Sequence, residues 1–184
     1  MVVESRTASP DTTVLVPIRL EKASKVSSIG FILKYHPAVA EVVRVYRGSR
    51  MSAAAFSYNA EVPGIIRFGA AAAGGVNGDG SAAVVEFRII GARGSSTPLT
   101  LSDTTVGDSG EQAMSIQVAH GRLTVEEPVT GDGNGDGKIT AVDALIAMKM
   151  FVGLIEEVLV MDVNGDGRVT PDDARQLLTM ARRG

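Results

Sequence analysis

The chain has no cysteine and no tryptophan, and aromatic residues make up only 4% of its 184 positions. Without cysteine there is no disulfide framework, no thiol nucleophile and no zinc–thiolate site. Without tryptophan, the flat aromatic platform that sugar-binding surfaces lean on has little to be built from. No apolar run approaches the roughly 18 residues a membrane-spanning helix needs. The opening residues, Met1-Val2-Val3-Glu4-Ser5-Arg6, lack the apolar heart of a signal peptide. Basic runs are missing too, and the formal net charge is −3, which argues against nucleic acid as a main partner. The two histidines, His36 and His120, lie far apart without a Ser or Cys nucleophile context and read as surface residues.

Against these absences stands a short pattern that occurs twice. Asp132-Gly-Asn134-Gly-Asp136-Gly137-Lys138-Ile139-Thr140-Ala-Val-Asp143 is followed, with starts 30 residues apart, by Asp162-Val-Asn164-Gly-Asp166-Gly167-Arg168-Val169-Thr170-Pro-Asp-Asp173. Each copy sets oxygen donors at loop positions 1, 3, 5 and 12, with Gly at 6 for the sharp turn, which is the ligand spacing of an EF-hand calcium loop. The expected ligands are the side chains of Asp132, Asn134, Asp136 and Asp143, the Lys138 carbonyl, and Thr140 through water. In the second loop they are Asp162, Asn164, Asp166, Asp173, the Arg168 carbonyl and Thr170. That predicts two Ca2+ per chain. Three carboxylates per loop repel one another, so metal binding and folding are linked. The plainer alternative is a pair of Asp/Asn/Gly turns without metal.

Both loops depart from the usual motif. Position 12 is Asp rather than Glu, and Glu127-Pro128-Val129-Thr130-Gly131 ahead of the first loop cannot form a helix. Helices are expected only downstream, with Thr140 and Thr170 as N-caps, an acid three residues on completing a capping box, and Pro171 at N1. On these residues, from about 130 to 184, the segment resembles a dockerin, a small calcium-folded module that binds cohesin domains. The resemblance implies docking through the helix face, at Ala141, Val142, Met148 and Lys149 in the first repeat and Pro171, Asp172, Leu178 and Thr179 in the second. Val142 against Asp172 makes the repeats unequal, so binding is expected to centre on the first helix. Leu145, Ile146, Met150 and Phe151 could face either the module's own core or a partner.

The first 127 residues read as all-β, with short apolar runs between turn signals. Strands are expected over 2–5, 12–20, 28–35, 39–46, 55–59, 64–72, 82–90, 98–103, 114–118 and 121–126. About nine strands suggest a β-sandwich or jelly roll. Asn77-Gly78-Asp79-Gly80 reads as a hairpin turn rather than half a calcium loop, because Gly75 would fall at position 1. The 70–75 Ala/Gly run reads as a strand end and loop. Glu41, Glu61 and Glu86 read as solvated strand positions and not as a catalytic acid pair.

The order of motifs resembles a cohesin domain: Thr13-Val-Leu-Val-Pro17-Ile, Gly30-Phe-Ile-Leu-Lys-Tyr35-His36-Pro37, Val42-Val-Arg-Val45, Phe56-Ser-Tyr58-Asn59, Pro63-Gly64-Ile-Ile-Arg-Phe68, Val84-Val-Glu-Phe87 and Gly121-Arg-Leu-Thr-Val125. His36 departs from it, since cohesins commonly carry Asp after the Tyr. Strand alternation puts Ile29, Phe31, Leu33 and Tyr35 inside, with Ile66, Phe68 and Ala70. It turns Ile32, Lys34, His36, Ile65 and Arg67 outward, and the resemblance implies that this face receives a dockerin.

The expected organisation is therefore a multi-domain chain. An all-β sandwich over 1–127 and a linker over 128–131 precede a small all-α module of two calcium loop–helix repeats over 132–184. The expected role is non-catalytic, calcium-dependent assembly with cohesin- and dockerin-bearing proteins, extracellular or at the cell surface, after removal of a leader. Nucleic acid and membrane insertion are not expected, and polysaccharide only indirectly. The rival is a carbohydrate-binding sandwich with a dockerin attached. The linker, stiffened by Pro128, reaches about 20 Å, so docking onto a neighbouring chain is expected over docking within one chain, giving a twofold dimer or a filament.

Overall fold

The computed structural model describes residues 1–110, 112–127 and 129–182. Its contacts fall into two compact units, Met1–Glu126 and the residues from Glu127 onward. Pro128 lies outside the described residues.

The first unit holds eight strands: β1 Val2–Val3, β2 Arg6–Ala8, β3 Thr13–Lys34, β4 Ala40–Arg47, β5 Ala55–Asn59, β6 Ile65–Ile89, β7 Ser96–Asp108 and β8 Gly121–Val125. Two of them, β3 and β6, run antiparallel along almost their whole length and change company halfway. The first half of β3 pairs with β1 and with the second half of β6, whose other neighbour is β4. The second half of β3 pairs with β7 and with the first half of β6, whose other neighbour is β5. β8 continues from β7 and pairs in parallel with β2. Two sheets of a jelly-roll sandwich are thus sewn together by two shared strands.

The sequence expectation of four separate strands and a hairpin at 77–80 is corrected here. The crossing shows as a change of parity. In β3 the buried positions are Val16, Ile18, Leu20 and Val26, then Ile29, Phe31 and Leu33. In β6 they are Ile66, Phe68 and Ala70, then Ala82 and, on the other parity, Ala83, Val85, Phe87 and Ile89. A bulge adds the residue that shifts alternation and bends the strand. Here Lys22 and Lys25 are left-handed at φ 53° and 54°, and the register slips repeatedly between Leu20 and Ser28. Side chains stand in for the broken ladder, with Lys22 N–H donating to Asp79 Oδ1 (2.6 Å) and Lys25 N–H to Asn77 Oδ1 (2.8 Å). The 70–75 run lies inside β6 as well.

Residues 114–118, expected as a strand, are extended without joining a ladder. The bridges Gly107↔Ala113 and Val2↔Ala119 flank them, and Met114, Ile116 and Val118 pack on the core. That core includes the stacked pair Phe31 and Phe68 (4.8 Å between ring centres) and Tyr35 edge-on to Phe87 (5.1 Å).

The second unit has two helices, α1 Ala141–Phe151 and α2 Pro171–Ala181, each behind its loop. Its core is small: Ala144, Ala147, Met150, Met161, Val169, Ala174 and Leu177. Gly131 shows how tightly the repeats meet, because a Cβ there would stand 2.5 Å from Leu177 Cδ2.

Phe87→Ala is expected to lower the stability of the sandwich by about 3–5 kcal/mol, since it empties a fully buried site. Denaturant unfolding of the β signal measures this, with the helical transition of the second unit as internal reference.

Candidate metal loops and docking surfaces

The two loops match almost bond for bond. Asp132 Oδ1 accepts from the amides of Gly135 (2.7 Å) and Asp136 (3.1 Å), and Oδ2 from Gly137 (2.8 Å). Asp162 does the same with Gly165 (2.7 Å), Asp166 (3.2 Å) and Gly167 (2.8 Å). Those turns need left-handed backbone, which Gly135 and Gly137 supply at φ 75° and 82°. Asn134 Nδ2 donates to Asp136 Oδ2 (2.9 Å), as Asn164 does to Asp166 (3.1 Å).

The acid at position 12 joins loop to helix. Asp143 Oδ1 accepts from the amides of Gly133 (3.0 Å) and Asn134 (3.3 Å), while Oδ2 accepts from Thr140 N–H (2.8 Å) and the Thr140 hydroxyl (3.0 Å). Asp173 repeats this with Val163, Asn164 and Thr170. Thr140 and Thr170 are the N-caps of capping boxes and Pro171 stands at N1, as the sequence implied. Both acids are fully buried. Burial by itself would raise their pKa. The hydrogen bonds from Thr140, Gly133 and Asn134, and from Thr170, Asn164 and Val163, outweigh it and hold both below the ordinary 3.8.

In this geometry the carboxylates face backbone amides, and among the described residues no three acid or histidine side chains converge as a cation site. The donor set nevertheless fits a hard cation. Each loop offers three carboxylates, one carboxamide and one hydroxyl, on a backbone already turned by glycine. The side chains of Lys138 and Arg168 are cationic, so only their backbone carbonyls suit the role. Sequence reasoning missed Glu157, whose Oε1 accepts from Val169 N–H (2.7 Å) at loop position 8. It sits in the connection between repeats, where no motif marks it.

Burial along the helices repeats as well: positions 141–149 and 171–179 share one pattern, in which the first, second, fifth, eighth and ninth are exposed. Ala141, Val142, Met148, Lys149, Pro171, Asp172, Leu178 and Thr179 are therefore all exposed. The ambiguity over α1 is resolved: Ile146 and Met150 pack inward, while Leu145 and Phe151 stay outside, 55% and 52% exposed. A groove of about 360 Å³ runs between the helices, lined by Ala141, Ala144, Leu145 and Met148 opposite Pro171, Ala174, Arg175 and Leu178. Where α1 carries Val142 and Leu145, α2 carries an ion pair, Asp172 with Arg175 (3.2 Å).

On the sandwich, Ile32 is the Cα partner of Arg67, and Lys34 of Ile65, so these four meet on one face. Both isoleucines are half-buried, not fully exposed, while Lys34 and Arg67 are open to solvent. His36 lies beyond the end of β3, exposed. Its amide donates to Thr97 Oγ1 (2.7 Å) and its Nδ1 accepts from Ala38 N–H (3.2 Å). His120 Nδ1 likewise accepts from Leu101 N–H (3.2 Å). Glu41 pairs with Arg88, and Glu86 accepts from the Tyr46 hydroxyl (2.6 Å).

Comparison with known proteins divides the chain where its contacts do. A family model described as the cohesin domain matches residues 1–125, and one described as the dockerin type I domain matches residues 130–179. Among solved structures, a non-cellulosomal cohesin from the hyperthermophilic archaeon Archaeoglobus fulgidus is 33% identical, with a TM-score of 0.62 over 67% of this chain and 88% of that one. The sixth cohesin of scaffoldin B from Acetivibrio cellulolyticus, in complex with a mutant Cel5 dockerin, is 25% identical, with a TM-score of 0.63 over 68% and 96%. A type I cohesin of Pseudobacteroides cellulosolvens, 21% identical over 68% and 90%, shares the fold at a TM-score of 0.58. None of the curated proteins compared matches the sequence.

A carboxylate whose pKa is depressed by folding contributes stability that is complete above its unfolded value and lost as pH falls through the folded one. The melting temperature of the helical unit should therefore stay level down to about pH 5 and drop as pH passes below 3.8, the ordinary value of Asp143 and Asp173. A melting temperature that rises on acidification contradicts this.

Proposed function

The chain belongs to the cohesin family and carries a type I dockerin domain behind its sandwich, both of them domains of non-catalytic assembly, and from that premise we propose that it joins proteins through calcium-dependent docking, outside the cell or at its surface. Type I dockerins bind calcium. The supporting observation is the repeat-for-repeat match of the two loop–helix units, in hydrogen bonds and in the positions left outside. A core that is largely alanine and single apolar side chains is too small to hold such a unit by burial alone. Two calcium ions supply what is missing, one per loop. Asp132, Asn134, Asp136 and Asp143, the Lys138 carbonyl and Thr140 hold the first. Asp162, Asn164, Asp166 and Asp173, the Arg168 carbonyl and Thr170 hold the second. The cation neutralises carboxylates that otherwise repel, and loop and helix order together.

The ordered helices then present Val142, Leu145 and Met148 from α1 and Leu178 from α2 to a cohesin. The Acetivibrio cellulolyticus cohesin is a complex with a dockerin, and by analogy this sandwich takes a dockerin on the face of Ile32, Lys34, Ile65 and Arg67. One chain thus offers both halves of a pairing, and its partners are cohesin- and dockerin-bearing proteins. The carbohydrate-binding alternative has little to build on: among the described residues the exposed aromatics are Tyr46 and Tyr58 on the sandwich and Phe151 on α1, and the chain has no tryptophan.

Calorimetry is expected to find two calcium ions per chain, with Asp132→Ala and Asp162→Ala each removing one. Chelator should abolish the helical signal and leave the β signal unchanged. Against a cohesin that the chain captures, Val142→Asp should weaken binding at least tenfold, because it sets an unpaired charge against an apolar contact, about 1.4 kcal/mol per decade. Asp172→Ala should change it less than threefold, as Asp172 is exposed and paired with Arg175. Equal losses would contradict a reading centred on α1.

A further inference from the structure

One carboxylate outside the two loops reaches into the second of them. Glu157 Oε1 accepts from Val169 N–H at 2.7 Å, across 12 positions of sequence. A carboxylate acceptor makes this a charge-assisted bond, stronger than one between neutral groups. The connection that carries Glu157 is itself tied down. The Val160 carbonyl accepts from Gly131 N–H (2.7 Å), and Met161, at the end of the short 3-10 turn Leu159–Met161, is fully buried. Asp162, the first residue of the loop, donates its N–H to the Leu159 carbonyl (3.1 Å).

The amide that Glu157 holds belongs to the peptide group joining Arg168 to Val169. The other end of that group is the Arg168 carbonyl, the oxygen that loop position 7 gives to calcium in the reading above. In a planar trans peptide the N–H and the C=O point in opposite directions. A partner fixed on the N–H side therefore also fixes where the carbonyl points. Negative charge at the N–H draws the group's dipole toward a more electron-rich carbonyl oxygen, as hydrogen bonds in a chain polarise one another. Position 8 supplies no ligand in such a loop, so the Glu157 bond does not compete with the ion.

The first repeat lacks this support. Its corresponding peptide joins Lys138 to Ile139, and the Ile139 amide donates to no acceptor among the described residues. Glu127 stands five residues before Asp132, as Glu157 stands five before Asp162. Among the described residues, however, the Glu127 carboxylate accepts no hydrogen bond. Val169 is buried where Ile139 is half-buried. The repeats match within their loops and differ in what stands behind them.

Resting on the calcium reading above, we propose that Glu157 is a positioning residue for the second calcium site. It orients and polarises the Arg168 carbonyl, tightens the second loop's hold on the ion and gives the two sites unequal affinity.

A calcium titration of the full chain against a competing chelator tests this, with the amide resonances of Gly137 and Gly167 reporting the first and second loops and that of Val169 reporting the bond. Glu157 is exposed, so Glu157→Ala empties no core. It is expected to weaken the second site about tenfold, the usual cost of losing a group that orients a metal ligand. The first site should change by no more than about twofold, and the Val169 amide should exchange faster in calcium. Glu157→Gln keeps an oxygen at the same place without the charge, and should weaken the second site less than Glu157→Ala does. It also carries the test if the alanine variant fails to fold. Glu127→Ala should alter neither site. Equal losses at both sites would mean that Glu157 only stabilises the module as a whole, and would overturn the proposal. So would an unchanged second site. A native chain in which neither glycine responds to calcium overturns the calcium reading itself and this inference with it.

Discussion

The second unit depends on one fully enclosed carboxylate per repeat, Asp143 and Asp173. Asp143 and Asp173 each accept two amides from the start of their loop and two donors from the helix N-cap. The same side chain thus closes the calcium loop and begins the helix. Asp can do this because position 12 of the loop falls on N3 of the helix, where a short acid reaches back to the N-cap amide. Helix direction, and with it the set of side chains shown to a partner, follows from the loop's closure. A module with so little apolar core leaves many of its apolar side chains outside, Val142, Leu145, Met148 and Leu178 among them.

The sandwich solves a different problem. The face of Ile32, Lys34, Ile65 and Arg67 is built on the second half of β3 and the first half of β6, strands whose other halves belong to the opposite sheet. The face is anchored through the chain itself as well as through the Phe31–Phe68 stack beneath it. In the β3–β6 pairing the irregularity lies between Ile18 and Ser28, around the left-handed Lys22 and Lys25, and the Ile32–Arg67 ladder is regular, while the β3–β7 pairing carries its own bulge between Gly30 and Ile32. Specificity on such a face comes less from area than from which charges remain unpaired at its rim.

Much of the site was legible because its determinants are local. Within each repeat the candidate loop ligands and the capping box, with Pro171 in the second, lie within about a dozen residues of one another, and the caps stand where the sequence placed them. Strand alternation likewise found Ile29, Phe31 and Leu33 inside, with Lys34 and Arg67 outside, because each half-strand keeps its parity over several residues. It overstated the exposure of Ile32 and Ile65, since neighbouring strands cover half of each.

By itself, then, the sequence determined a β-rich first part, two oxygen-rich loops each opening a helix, and the inward parity of the central strands, all set by periodicity and spacing. Only the tertiary structure decided what periodicity cannot carry. The continuity of β3 and β6 through their bends rests on long-range pairing and on Asn77 and Asp79 bonding across the crossing. In α1, apolar on every side, the position of α2 sends Ile146 and Met150 inward and leaves Leu145 and Phe151 in solvent.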